Sequence, residues 1–320
     1  MEFIGKIKFF TALFLGILVL NSCSNDDDDN TPIVTDNSIT GIASRTDNLS
    51  VLVQALTKAD LAVTLKSNGP FTVFAPTNAA FNTFLSANGF ANLDAVPVAT
   101  LKEILLNHVV SGSIQSSALT TGYVKTLGKG SASSTNTLSM FVNTSSGVRL
   151  NGVSSVTTAN ILASNGVIHI VDAVIGLPNV VTHATANPNF SSLVGALTGA
   201  GQPDFVGILS GTGPFTVFAP TNTAFTNLNT ELAPGGIAGV STANLTKVLQ
   251  YHVVSPANVL SNTLTNNQSV TTILGQNFTV NLSPARITDV NARVSNITAV
   301  DVQCSNGVIH VLDKVLLPTF

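Results

Sequence analysis

A thirteen-residue segment occurs twice in this chain with a single change: residues 69–81 read GPFTVFAPTNAAF and residues 213–225 read GPFTVFAPTNTAF. These segments lie 144 positions apart, as do 107–111 (NHVVS) and 251–255 (YHVVS). Two flanking pairs, 52–56 (LVQAL) with 193–197 (LVGAL) and 164–169 (SNGVIH) with 305–310, lie 141 apart. An insertion near residues 199–205 and a deletion after the second of these histidines account for the change. A period of about 140 residues is too long for a solenoid unit and has the size of a domain. One fold is therefore made twice, over residues 38–178 and 179–320, and each copy is large enough to bury a core without cross-links. The chain has only two cysteines, Cys23 and Cys304. Cys304 aligns with Ala163, as expected of a small buried apolar position rather than a reactive thiol.

The repeated motifs have a physical reading. Gly69 and Pro70 signal a turn, and 71–75 (FTVFA) is a short β-rich run. Pro76 closes the strand because it has no N–H to give to a ladder. Thr77 suits a helix N-cap, and Phe81, Phe84 and Leu85 fall on one helical face. Strand, corner, helix is the prediction for both copies. Next, Leu101, Ile104, Leu105 and His108 occupy i, i+3, i+4 and i+7, as do Leu245, Val248, Leu249 and His252. Each histidine thus lies on a core-facing stripe, where a buried imidazole needs partners for both nitrogens. Asn165 and Gly166 form a turn before 167–175, β-branched on both faces and read as a buried strand. His169 and Asp172, like His310 and Asp313, point to opposite faces of such a strand, which argues against a metal or triad pair.

Charge narrows the function. Only 9% of residues are charged, against about 25% in an average domain, so the surface is built mainly from Ser, Thr and Asn. No Lys/Arg cluster is available to neutralise phosphates, and nucleic acid is excluded as a partner. Five histidines and two cysteines do not assemble the three or four ligands of a zinc site in either repeat. There is no GxSxG elbow, P-loop, GxGxxG or HExxH, and carboxylates inside the repeats are few and dispersed. No enzyme, catalytic residue, metal or cofactor is expected.

The N-terminus reads as an address. Lys6 and Lys8 precede a twelve-residue apolar run, 9–20 (FFTALFLGILVL), too short to span a bilayer but suited to a signal-peptide core. Residues 20–23 (LNSC) resemble a bacterial lipobox, so that 1–22 is a lipoprotein signal peptide and Cys23 the lipidation site. Residues 23–37 form an acidic tether around Asp26, Asp27, Asp28 and Asp29, whose mutual repulsion keeps them solvated. A serine and acidic run after that cysteine resembles the surface-export signal of Bacteroidetes lipoproteins. An outer-membrane lipoprotein exposed at the cell surface is the expectation, with the periplasmic face as the alternative. Removing 1–22 takes away Glu2, Lys6 and Lys8, leaving 11 basic and 15 acidic groups, net −4. The four tether aspartates equal that charge, so the repeats are close to neutral.

The ordered motifs resemble the fasciclin (FAS1) domain, whose members include extracellular adhesion proteins such as periostin. Residues 72–81 and 216–225 are similar to its TVFAPTNxAF motif, Tyr251 and His252 to its central Tyr-His motif, and 165–172 and 306–313 to NGVIHxxD. The resemblance implies an α+β fold of two tandem FAS1 domains, each a twisted β-sandwich or wedge with a helical cluster. It also implies adhesion without a cofactor, through binding of extracellular protein, cell-surface or polysaccharide partners, with a glycan-binding accessory lipoprotein as the alternative. In animal members, integrin contact is attributed to the Tyr-His region and to an Asp-Ile pair upstream of NGVIH. These positions map to Tyr251, His252, Asp301 and Val302 as candidate binding residues. In the first repeat they are Asn107, His108, Asn160 and Ile161, so neither repeat matches both motifs in full.

Overall fold

The computed structural model describes residues 35–320, of which 36–320 form one compact unit. Cys23, the apolar run and the tether aspartates lie outside the described residues.

The first repeat opens with three short helices, α1 (Ile39–Ser44), α2 (Ser50–Lys58) and α3 (Ala62–Lys66). Strand β1 (Phe71–Pro76) leads into α4 (Asn78–Ala87), and α5 (Val98–Leu106) into β2 (Val109–Ser111). Five strands complete the unit: β3 (Gly122–Gly130), β4 (Ser133–Asn143), β5 (Arg149–Leu150), β6 (Ser154–Ala163) and β7 (Gly166–Val171). The second repeat follows the same plan with α6 (Val180–Ala186), α7 (Ser191–Leu197), α8 (Phe205–Ser210), β8 (Phe215–Pro220), α9 (Asn222–Glu231), α10 (Thr242–Tyr251) and β9 (Val253–Val254). Its remaining strands are β10 (Gln268–Thr271), β11 (Asn277–Leu282), β12 (Ala285–Thr288), β13 (Val294–Cys304) and β14 (Gly307–Leu312). This is the α+β architecture of two tandem units expected from the motifs.

The strand–corner–helix motif forms as its residues dictate. Thr77 Oγ1 accepts from Ala80 N at 3.2 Å and Thr221 Oγ1 from Ala224 N at 3.3 Å, each capping the helix that follows the proline. β1 lies parallel to β7, and β8 to β14. Successive residues of these strands face opposite ways, and each repeat uses both faces. Val73, Ala75, Ile168 and Ile170 pack with the helices, whereas Phe74 and Val171 pack with Met140, Val142 and Leu150 of the other strands. Val217 and Ala219 against Phe218 repeat the division. The buried strand expected over 167–175 ends at Val171, where Asp172 turns its carboxylate to accept from Ser155 N at 2.6 Å.

The repeats differ in closure. In the first, a pairing of Val110 with Thr126 joins β2 to β3 and closes a seven-stranded barrel. In the second, seven strands form an open sheet in the order β10-β11-β12-β13-β14-β8-β9. At the equivalent place in the second repeat a single backbone bond, Ile273 N to Val253 O at 2.8 Å, links the two ends of the sheet. The first hairpins also differ in length. Residues 126–138 separate the paired positions Lys125 and Ser139, whereas only 272–276 separate Thr271 and Asn277. The first repeat thus carries a longer arm, and the shortening in the second exceeds the net three-residue change in motif spacing, so it is partly offset by added residues elsewhere in that repeat.

Candidate functional site

His108 sits just beyond α5, 2% exposed. Its Nε2 accepts from Ile175 N at 2.9 Å, so Nδ1 carries the proton and donates to Ile104 O at 2.7 Å. His252 repeats this, with Leu316 N at 3.0 Å and Val248 O at 2.7 Å. Burial pushes both imidazoles down to about 4, against the backbone bond that favours the charged form. Each histidine therefore ties the end of a helix to the chain leaving the last strand of its repeat.

Tyr251 is fully buried. Its hydroxyl donates to Asn277 O at 2.7 Å and accepts from Val290 N at 3.2 Å, and burial pushes its pKa up to about 12. Asn107, in the same place in the first repeat, donates to Gly176 O at 2.9 Å and accepts from Thr126 Oγ1 at 3.1 Å. Different side chains here do the same task of satisfying a buried backbone.

His169 donates from Nε2 to Ile114 O at 2.9 Å and accepts at Nδ1 from Asn160 N at 3.2 Å. His310 donates from Nε2 to Val259 O at 2.8 Å. Both stack on a phenylalanine, Phe74 at 5.5 Å and Phe218 at 5.3 Å between ring centres. Burial lowers both pKa values.

Asp301 and Asn160 adopt left-handed backbone, φ 58° and 63°, at irregularities in β13 and β6. Short polar side chains tolerate that conformation best among non-glycine residues. Each fastens a loop: Asp301 Oδ1 accepts from Ser261 N at 2.8 Å and Oδ2 from Ser261 Oγ, while Asn160 Oδ1 accepts from Ser116 N at 2.8 Å. Val302 is 3% exposed within the core of the second repeat. Of the four candidate binding residues, the structure thus places Tyr251, His252 and Val302 in the interior and commits the Asp301 carboxylate to Ser261. Among the described residues no three His, Cys, Asp or Glu side chains converge.

Apart from Ser305, the polar cluster joining the repeats lies outside the repeated motifs. The arm of the first repeat lies along β13: Lys125 Nζ donates to Asp301 O at 2.8 Å and Ala132 N to Ser305 O at 2.9 Å. Ser139 Oγ accepts from Gln303 N at 3.0 Å. Gly130 is required there, because a Cβ would collide with the backbone of Ser305. Tyr123 packs on the core of the second repeat and meets His183 of α6 edge-on at 5.4 Å. His183 is fully buried without a hydrogen-bond partner, and burial, reinforced by Lys125, pushes it down to about 3. Cys304, also fully buried, has its thiol pKa raised by burial, as suits an unreactive apolar position. Beside this junction a cleft of about 390 Å³ is lined by neutral groups from both repeats, among them Asn151, Asn179, Thr182, Thr185 and Ser210. Asn151 Nδ2 is buried without a partner. Periodicity missed Lys125, Ser139 and His183, since each occurs in one copy only; the altered motif spacing was the available signal.

The model of the Fasciclin domain family matches residues 47–178 and 188–318. Protein sll1483 of Synechocystis is 37% identical over 139 residues, covering 43% of this chain and 73% of that protein. Human periostin is 28% identical over 265 residues, covering 79% of this chain but only 29% of periostin. Among solved structures, a FAS1 domain pair from the insect cell adhesion molecule fasciclin I superposes with a TM-score of 0.52 at 20% identity, over 84% of this chain and 97% of that one.

Proposed function

The chain belongs to the Fasciclin domain family, and on that premise we propose that it is a non-catalytic adhesion and interaction module. In this reading Cys23 carries the lipid anchor at the outer membrane, 23–37 is the spacer, and the two repeats meet extracellular protein, cell-surface or polysaccharide partners from the exposed side. One observation carries the non-catalytic reading: His108, His169 and His252 use both ring nitrogens to hold the backbone. Side chains suited to acid–base work are thereby spent on architecture, leaving a nearly uncharged surface. Such a surface favours short-range contact over electrostatic steering.

Deleting 38–320 while keeping 1–37 is expected to reduce attachment of cells to matrix or polysaccharide; unchanged attachment overturns the reading. Cys23→Ala tests the anchor separately, by release of the protein from the membrane fraction. Protease treatment of intact cells distinguishes the surface from the periplasmic face.

The cleft at the junction favours a second reading, in which the partner is a neutral glycan. Hydroxyl and amide groups with no net charge match the chemistry of neutral sugars. A glycan array that remains blank at high protein concentration removes this reading and leaves the first.

A further inference from the structure

The same strand is covered in one repeat and, among the described residues, left open in the other. β13 pairs with β12 only at residues 294–296, and with β14 on its other side through Cys304. Beyond residue 296 the first side is an open edge, and the arm of the first repeat covers it at Asp301, Gln303 and Ser305. β6 has the same construction, pairing with β5 only at Ser154 and Ser155 and with β7 through Ala163. No described segment lies in the place the arm takes on β13. Gln303 is 1% exposed, whereas Leu162, at the same pairing position, is 65% exposed.

The residues on the bare edge are the reverse of what solvent selects. Leu162 replaces Gln303, and Ile42 of α1 stands where His183 stands in α6. That second correspondence is fixed by one shared bond: Asn165 Oδ1 accepts from Ile39 N as Asn306 Oδ1 accepts from Val180 N. Ile42 is partly buried against the core of the first repeat, so the exposed apolar group at the open edge is Leu162, where the covered edge has the polar Gln303. Residues 157–164 (TTANILAS) also lack the charges and prolines that usually guard an exposed edge. The irregularity at Thr158–Ile161 confines regular pairing to the stretch around Leu162.

We propose that this edge is a self-association surface, on which a second copy of the chain pairs its own residues 161–163 antiparallel, with Leu162 facing Leu162 across a two-fold axis. An uncharged segment meets its own copy without repulsion, and Leu162 then packs on Leu162, the self-complementary arrangement an isologous contact requires. Its backbone faces the partner, because Gln303 in the same place turns its N–H outward to Ser139. Head-to-tail docking by the hairpin of the second repeat is a poor match. That hairpin turns Ser269, Thr271, Asn277 and Thr279 outward where the first repeat has Tyr123, Lys125, Ser139 and Phe141, and its arm is shorter. The contact is small, so the dimer is weak and forms at high local concentration.

The test is sedimentation velocity on the chain from Ser24 onward, which retains the whole compact unit, at loadings up to about 1 mM. The expected result is a monomer–dimer equilibrium that Leu162→Lys abolishes and Val300→Lys, on an exposed part of β13, leaves intact. Both positions are exposed, and an unchanged melting temperature establishes that the variants fold. Leu162→Cys is expected to give a disulfide dimer under mild oxidation, since facing residues in an antiparallel pair come within disulfide reach. A monomer at every loading, a ladder of higher oligomers, or a dimer indifferent to Leu162→Lys each overturns the proposal.

Discussion

Ser139 Oγ accepts the backbone N–H of Gln303 at 3.0 Å, across 164 positions of the chain and from one repeat to the other. This bond lies beside the Lys125 and Ala132 contacts to the same strand, and together they make two domains one body. Position-by-position likeness between the repeats stops here: the arm exists in one copy and the strand it covers is buried in the other. Of the binding residues inferred from the second repeat, Asp301 therefore cannot be read independently of the first, whose Lys125 donates to its carbonyl.

Replacing Gly130 by valine should loosen that junction. A Cβ at this position collides with the Ser305 backbone, and relief requires the arm to move off β13. Overpacking of this kind costs about 1–3 kcal/mol. The expected outcome is a lower urea midpoint and faster amide exchange at Gln303, with exchange at Val308 inside the second repeat little changed. Equal loss of protection at both amides would show that the junction and the core of the second repeat open as one unit.

His108→Leu should destabilise without touching any surface. The substitution leaves Ile104 O without the ring donor and Ile175 N without an acceptor, in a site 2% exposed. An unsatisfied buried group costs about 1–3 kcal/mol, so a loss of about 2–5 kcal/mol is expected in chemical denaturation. His252→Leu should do the same in the second repeat, and partner binding at a temperature well below melting should be unaffected by either.

Much of this was legible in the sequence because it occurs twice. Thr77 and Thr221, and His108 and His252, each stand at matching places in a periodic pattern, and periodicity reports directly on which face is buried. The junction was not legible for the opposite reason. Tyr123, Ser139 and His183 are replaced by Ser269, Asn277 and Ile42 in the other copy, and the partner of Ser139 is set by how the repeats pack. The same holds for Asp301: its sequence position suggested an exposed ligand contact, but the left-handed backbone and the Ser261 bonds that occupy its carboxylate are tertiary facts.

All five histidines have depressed pKa values, with burial as the leading cause. The unfolded chain binds protons near 6.5, whereas the folded His108 and His252 do so at about 4 and His183 at about 3. The stability held by neutral imidazoles is therefore complete above pH 6.5 and is lost as pH falls from there toward 4. At pH 5 each of these three groups is expected to have cost about 2 kcal/mol. Urea midpoints measured at pH 8, 6 and 5 should fall in that order, and His183→Phe should flatten the decline. A midpoint constant from pH 8 to 5 would mean that the imidazoles reach solvent.

Asp301→Asn and Asp301→Ala should separate backbone conformation from charge. Asparagine already serves at the equivalent Asn160, with the same left-handed φ and the same bond to a serine N–H. Asp301→Asn should therefore keep the loop at Ser261 in place and cost little. Asp301→Ala loses both bonds from Ser261 and places a residue with no local hydrogen bond at φ 58°. That conformation alone costs about 1–2 kcal/mol, so the alanine variant should be the less stable of the two by at least that amount in thermal denaturation. If a partner binds through the Asp301 carboxylate, Asp301→Asn will lose binding while keeping its melting temperature. If Asp301 is a fastening for the loop, Asp301→Asn will keep both, and Asp301→Ala will lose stability first and binding only as the loop detaches.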